Sequence, residues 1–289
     1  MATMPSKSQT ARASSEYKSD LQPIWCAGCG DYGVLSALYR ALAELNISPA
    51  ELALVSGIGC SGRLPGFVNS YGFHGVHGRV LPLASGIKLG RPELTVIAVG
   101  GDGDGLAIGG GHFPHAARRN VDITYIMMDN AVYAQTKGQS SPTSPWEMTT
   151  KSEPYGTMED QLNPVALALA YDASFVAQGF AGKVQELTEL IRRGIAHRGF
   201  SFIHVLSPCA TFNNTFRTLS QLVEEIPAEH DPRDRPRAFN LALQSLPIPT
   251  GVLYEVTKPA LEERLATVRS RATAGSAPTT LEELFDRYS

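Results

Sequence analysis

The chain has 289 residues, 43% of them hydrophobic and 18% charged, with a formal net charge of −3. That is apolar material for one large α/β core or two modest ones, and without any run of Lys and Arg the charge balance excludes a nucleic-acid footprint. No apolar stretch approaches the roughly 20 residues that span a bilayer, and the opening segment lacks the apolar core of a secretory signal. The sequence therefore predicts a soluble protein of the reducing cytoplasm, with no membrane and no nucleic acid among its partners.

Residues 1–20 are polar and rich in Ser, Ala, Thr and Lys, and predict a disordered tail. From 31 to 45, Val34, Leu35, Leu38, Leu42 and Leu45 recur at helical spacing, with Asp31 placed to cap the start. A buried strand is expected over 51–56. A second apolar run, 94–99, ends at Gly100-Gly-Asp-Gly-Asp-Gly105, and a glycine-interrupted helical pattern follows over 106–119. The run 121–128 is again β-branched and apolar and stops at Asp129-Asn130. Farther on, 173–178 and 200–206 read as strands with a helix over 184–197 between them. This alternation implies an α/β fold with a mainly parallel, doubly wound sheet covered on both faces, in which ligands sit at the carboxyl ends of the strands. Gly57, Gly103, Asn130 and Cys209 all fall just after expected strands. They should share one edge of a domain spanning 21–211. From 212 to 289 the sequence turns irregular and reads as an extended arm that packs on a neighbouring subunit.

The chain has four cysteines, each in a turn marked by glycine or proline: Cys26 and Cys29 in Trp25-Cys-Ala-Gly-Cys-Gly30, Cys60 in Gly59-Cys-Ser-Gly62, and Cys209 in Ser207-Pro-Cys209. Such turns hold side chains convergent and leave backbone N–H groups free to point at sulfur, as an iron–sulfur cluster or a zinc ion requires. The alternative is four unrelated buried thiols. Disulfides suit an oxidising compartment that nothing in the opening segment specifies.

Gly57-Ile-Gly-Cys-Ser-Gly62 matches a dinucleotide fingerprint but fails on context. Pro65 and Gly66 break the helix it should open, and no acidic residue occurs between Gly62 and Glu93. Gly101-Asp102-Gly103, answered by Asn130 after the next strand, is more telling. Glycine admits a diphosphate close to the backbone, and an Asp carboxylate with an Asn carbonyl suits Mg²⁺. That is a metal–diphosphate clamp. His112 and His115 lie three apart on the expected helix without a third ligand and read as packing residues. His74 and His77 alternate with glycines in a loop and face either substrate or solvent. Arg63 and Lys137 are candidate carboxylate partners by charge.

Taken together, Trp25-Cys-Ala-Gly-Cys-Gly30, Gly57-Ile-Gly-Cys-Ser-Gly62, His77-Gly-Arg79, Gly101-Asp-Gly-Asp104, Met128-Asp-Asn130, Tyr133 with Thr136-Lys-Gly-Gln139, Ser141-Pro-Thr143 and Ser207-Pro-Cys209 resemble the β subunit of 2-oxoacid:ferredoxin oxidoreductases, most closely the 2-oxoglutarate type. The resemblance runs from about Leu21 to Leu253. It implies the thiamine diphosphate-binding type of α/β fold and one thiamine diphosphate bound through Mg²⁺, with Asp102, Asn130 and the Val132 carbonyl as ligands. The implied cofactor contacts are Gly59, Cys60, His77, Gly101, Asp102, Gly103, Asp104, Asn130, Val132, Tyr133 and Thr136. It also implies a single 4Fe–4S cluster on Cys26, Cys29, Cys60 and Cys209. Arg63, His74, His77 and Lys137 become the substrate-side candidates, with Gln135 a pocket-shaping neighbour. The implied reaction is coenzyme A-dependent oxidative decarboxylation of a 2-oxoacid, with electrons passed to ferredoxin. The activating glutamate and the coenzyme A contacts would come from an α subunit in an α2β2 assembly. Arg63 and Lys137 favour a dicarboxylate, 2-oxoglutarate, over pyruvate or a broad range. A non-redox thiamine lyase and a zinc-stapled module are the competing readings.

Overall fold

Valine, isoleucine, leucine and methionine runs cut short by glycine or Asp-Asn turns fold as strands buried on both faces, and amphipathic stretches between them fold as covering helices. The computed structural model describes residues 11–274 and 280–288. In chain order the elements are α1 (Asp31–Glu44), β1 (Leu52–Ser56), β2 (Tyr71–His74), α2 (Val80–Gly90), β3 (Thr95–Gly101), α3 (Phe113–Arg119), β4 (Thr124–Asp129), the hairpin β5 (Val132–Tyr133) and β6 (Gln139–Ser140), and α4 (Pro164–Ala170). There follow β7 (Phe175–Phe180), α5 (Val184–Ala196), β8 (Ser201–Leu206), α6 (Phe216–Leu222), β9 (Val223–Glu225), α7 (Arg235–Ala242), β10 (Ile248–Glu255), α8 (Leu261–Thr273) and α9 (Leu281–Tyr288).

The central sheet has eight strands in the order β2-β1-β3-β4-β8-β7-β10-β9. From β2 to β7 every pairing is parallel, and β10 joins β7 antiparallel. Strand alternation divides the core into two layers. Leu52, Leu54, Ile97, Val99, Ile126 and Met128 pack with Leu38 and Leu42 of α1 and Leu187 and Ile191 of α5. Their neighbours Ala53, Val55, Val96, Ala98, Tyr125 and Met127 pack with Val80, Leu81 and Ala84 of α2 and Phe113 of α3. The doubly wound, mainly parallel sheet expected from the alternation is present.

Close helix-to-sheet approach depends on Gly33 in α1. A Cβ there would lie 2.1 Å from the Ala181 carbonyl oxygen, in the loop after β7. Because the obstacle is backbone, it cannot rotate away. Gly33→Ala is expected to destabilise the chain by about 1–3 kcal/mol, read as a lowered thermal midpoint; an unchanged midpoint would show that α1 can shift freely.

Several boundaries differ from expectation. The tail expected over 1–20 is ordered where it is described, and residues 1–10 lie outside the described residues. Ser14–Tyr17 form a single 3₁₀ turn, and Tyr17 is fully buried with its hydroxyl 2.6 Å from the Ile47 carbonyl and 2.9 Å from that of Leu42. One aromatic anchor is enough to pin a polar segment. Within the region from 212, read as an arm, β10 joins the sheet beside β7 and Leu253 is fully buried. Among its described elements α6, α8 and α9 bury no residue. Asp31 does not cap α1: it is the first helical residue, and its carboxylate accepts a hydrogen bond from Ser207 Oγ at 2.8 Å. The helix expected over 106–119 begins only at Phe113 and is preceded by a π-type turn, Asp104–Ile108, a distortion that recurs at functional sites. β2 and α2 were not legible. β2 is an edge strand with all four residues exposed, so it carries no alternation.

Candidate active site

The chain leaves β1 for β2 on one side and returns to β3 on the other, so the carboxyl ends of β1 and β3 border a crevice of the kind in which α/β sheets bind ligands. A cavity of about 310 Å³ occupies it. Every cofactor contact expected from the sequence lines this cavity: Gly59, Cys60, His77, Gly101, Asp102, Gly103, Asp104, Asn130, Val132, Tyr133 and Thr136. Asp31, Ser61 and Met128, which the sequence did not mark as contacts, line it too. At Gly59 the backbone is left-handed, with φ +117°, and a Cβ would meet no heavy atom within 4 Å. It would project into open space where a ligand could lie against the main chain.

Asp102 is 2% exposed. Its Oδ2 accepts a hydrogen bond from Ser141 Oγ at 2.5 Å and lies 2.8 Å from Thr143 Oγ1. Burial, then the charge of Asp129, pushes its carboxyl up to about 7, against the opposing pull of these hydroxyls. The motif Ser141-Pro-Thr143 thus holds the Asp102 carboxylate in place. The turn after β4 carries Asn130 and Val132. Asn130 Oδ1 accepts from the Val132 N–H at 3.0 Å, and Asp129 Oδ1 from the Ala131 N–H at 2.9 Å. Between them Ala131 sits at φ +57°, a strained conformation for a residue other than glycine. Asp102, Asn130 and the Val132 carbonyl form a hard-oxygen donor set that fits Mg²⁺.

Asp104 makes contacts of a different kind from those of Asp102 and Asn130. Its Oδ1 accepts from the backbone N–H groups of Ile58 and Gly78, both at 2.8 Å, and contacts His77 Nδ1 at 2.9 Å. It ties the loops after β1 and before α2 to the turn after β3 and sets which His77 nitrogen donates. A Cβ at Gly57 would lie 1.9 Å from its Oδ2, so that glycine admits the carboxylate.

The three cysteine-bearing loops meet. Trp25 Nε1 donates to the Cys60 carbonyl at 2.8 Å, and Gly30 N–H to the Pro208 carbonyl at 3.0 Å. A Cβ at Gly30 would lie 2.6 Å from Ser207 Oγ, so glycine permits that contact. Burial, with the charge of Asp31 next, pushes the Cys29 thiol well up and the Cys60 thiol up to about 11; Cys209 raises both further, and Cys26 raises Cys60. Cys29 and Cys60 therefore hold their protons until a cation displaces them. Among the described residues no three His, Cys, Asp or Glu side chains already converge as a metal-ligating group. The soft donor set still fits an iron–sulfur cluster, and the Phe212 N–H already points at Cys209 Sγ, 3.4 Å away.

The substrate-side candidates divide. His77 lines the main cavity, whereas Arg63 and His74 line a separate cavity of about 300 Å³ with Leu21 and Ile24. Lys137, at φ +85°, lines a third of about 390 Å³ with Lys151. Charge and loop position did not reveal which way these side chains lie. His112 and His115 line none of these cavities.

This geometry is that of a thiamine diphosphate-binding subunit, and residues 57–205 match the family profile described as thiamine pyrophosphate enzyme, C-terminal TPP binding domain. Residues 209–270 match a second profile, that of the C-terminal part of the pyruvate ferredoxin oxidoreductase beta subunit. The chain is 43% identical over 270 residues to 2-oxoacid:ferredoxin oxidoreductase 2, subunit beta, of Aeropyrum pernix, covering 88% of this chain and 87% of that one. It is 42% identical over 196 residues to the 2-oxoglutarate synthase subunit KorB of Methanocaldococcus jannaschii, covering 68% and 73%. A solved 2-oxoglutarate:ferredoxin oxidoreductase from Magnetococcus marinus, with 2-oxoglutarate, coenzyme A and succinyl-CoA bound, matches with a TM-score of 0.92 and 44% identity over 96% of each chain. The chain belongs to the 2-oxoacid:ferredoxin oxidoreductase β-subunit family. Among the described residues no helix is long and apolar enough to cross a membrane.

Proposed function

We propose that this chain, joined to an α subunit in an α2β2 assembly in the cytoplasm, catalyses coenzyme A-dependent oxidative decarboxylation of 2-oxoglutarate and delivers the electrons to ferredoxin. The observation that carries this reading is that Cys60 lines the same cavity as Asp102 and Asn130, so one crevice joins a hard-oxygen clamp to a soft sulfur donor. The 2-oxoglutarate preference rests on relatives named for that substrate and on the Magnetococcus marinus structure that holds it. The profile over 209–270 carries a pyruvate enzyme's name, which makes pyruvate the necessary comparison.

In this reading Asp102, Asn130 and the Val132 carbonyl hold Mg²⁺, and Cys26, Cys29, Cys60 and Cys209 hold a 4Fe–4S cluster. When bound, thiamine diphosphate supplies the carbon nucleophile for decarboxylation and the cluster a one-electron acceptor beside it. The chain's own residues do the holding. Ser141 and Thr143 orient the Asp102 carboxylate, the open backbone at Gly59 leaves room for the cofactor, and Asp104 holds His77 at the cavity wall with its Nδ1 committed. Nothing in the cavity lining supplies a glutamate, the residue expected from the α subunit.

The test is an assay of viologen reduction with a panel of 2-oxoacids, run on purified β chain and on co-purified αβ. Turnover is expected from αβ alone, with 2-oxoglutarate preferred over pyruvate. Robust turnover by the β chain without α would refute the shared site.

A further inference from the structure

A further cavity of about 400 Å³ is lined by Asp129, His204 and Gln178 together with Gln161, Asn163 and Gln244. Asp129 lines this cavity, while its chain neighbours Met128 and Asn130 line the main one. His204 on β8 is 4% exposed, and both of its ring nitrogens are engaged. Nε2 lies 2.8 Å from Asp129 Oδ2, and Nδ1 lies 2.8 Å from Gln178 Oε1. The Gln178 amide nitrogen donates to the Pro249 carbonyl at 2.7 Å, which commits its oxygen to accept. Two oxygens thus flank the ring and fix its orientation, the Gln178 amide oxygen at Nδ1 and the Asp129 carboxylate at Nε2. The other Asp129 oxygen holds the Ala131 N–H at 2.9 Å and meets the Thr143 hydroxyl at 2.7 Å. That hydroxyl is the one 2.8 Å from Asp102.

From this chain of contacts we propose that His204 is a positioning residue for the cation clamp, acting through Asp129. The inference rests on the proposed Mg²⁺ role of Asp102 and Asn130. His204 holds Oδ2 of this buried carboxylate and so sets the direction in which Oδ1 faces. The oriented carboxylate does two things at once. It holds the strained turn at Ala131, from which Asn130 and Val132 present their oxygens, and it shares the Thr143 hydroxyl that steadies Asp102. Outer partners of metal ligands act in this way by fixing orientation.

The test uses the purified αβ complex with Mn²⁺ as the probe ion and thiamine diphosphate, followed by the electron paramagnetic resonance signal of free Mn²⁺. His204→Leu is expected to weaken Mn²⁺ binding by about tenfold or more, with assembly by size exclusion and near-ultraviolet circular dichroism unchanged. Adding Asp129→Asn removes the carboxylate oxygen that His204 orients while keeping an oxygen for the Ala131 N–H and Thr143, so the double variant should recover much of the loss. A role in packing alone predicts a double variant no better than the single one. An affinity within about twofold of wild type in the single variant, or no recovery in the double, overturns the proposal. If the single variant fails to assemble, the double variant decides: assembly with recovered affinity supports the proposal, and failure of both to assemble overturns it. Absence of Mn²⁺ binding by the wild type would remove the clamp itself, and this inference with it.

Discussion

Asp102→Ala is expected to weaken the binding of Mg²⁺ with thiamine diphosphate by on the order of a hundredfold or more, since even outer partners of metal ligands reach that range, and to abolish 2-oxoacid turnover with it. The same carboxylate predicts a pH dependence. Its folded value, about 7, stands above the ordinary 3.8 because burial and Asp129 penalise the charged form. In the cofactor-free chain its contribution to stability is therefore fully present below the ordinary carboxylate range and is lost as pH rises through about 7. A divalent cation must displace the proton, so affinity should climb about tenfold per pH unit toward neutrality and then level off. Calorimetric titration of Mg²⁺ with thiamine diphosphate across this range reads the slope. A flat profile in the wild type would show that the Asp102 carboxyl is already deprotonated before the cation arrives.

Cys60→Ser and Cys209→Ser are each expected to reduce electron transfer to viologen or ferredoxin to the background of the assay, while thiamine diphosphate still binds. Serine keeps the size of the side chain but supplies no thiolate. The thiol of Cys60, pushed up to about 11 by burial first and Asp31 next, stays neutral unless a metal takes the proton's place, so only cluster assembly makes it a donor. The wild-type complex should be brown and bleach with dithionite, and the serine variants should lose that broad visible absorption. A colourless wild type containing zinc would support the stapled module instead, and full electron transfer by either variant would remove the cluster from these cysteines.

The class of fold was legible because its signals are local. Strands buried on both faces read as continuous apolar runs, and the glycine turns after them marked the ends at which ligands bind. Gly101-Asp102-Gly103, Asn130 and the cysteine turns were found in the same way: each needs an unusual backbone or a specific donor, and both leave a trace in residue type. The edge strand β2 left none, because a strand exposed on both faces has no alternation to show. Tyr17 escaped notice because one aromatic in a polar segment does not reveal that it reaches the carbonyls of Leu42 and Ile47.

By itself the sequence determined the alternating architecture, the donor chemistry and the order of the motifs, which depend on nearest neighbours and on the identities of single side chains. Only the tertiary structure decided which groups share a cavity. It put His77 in the cavity with Asp102 and left Arg63, His74 and Lys137 in others. It joined Asp104 to Ile58 and Gly78, Thr143 to both Asp102 and Asp129, and His204 to Asp129. These contacts bridge separate strands and loops, and their partners are chosen by the sheet order and the twist of the crossovers, which no short stretch of sequence encodes.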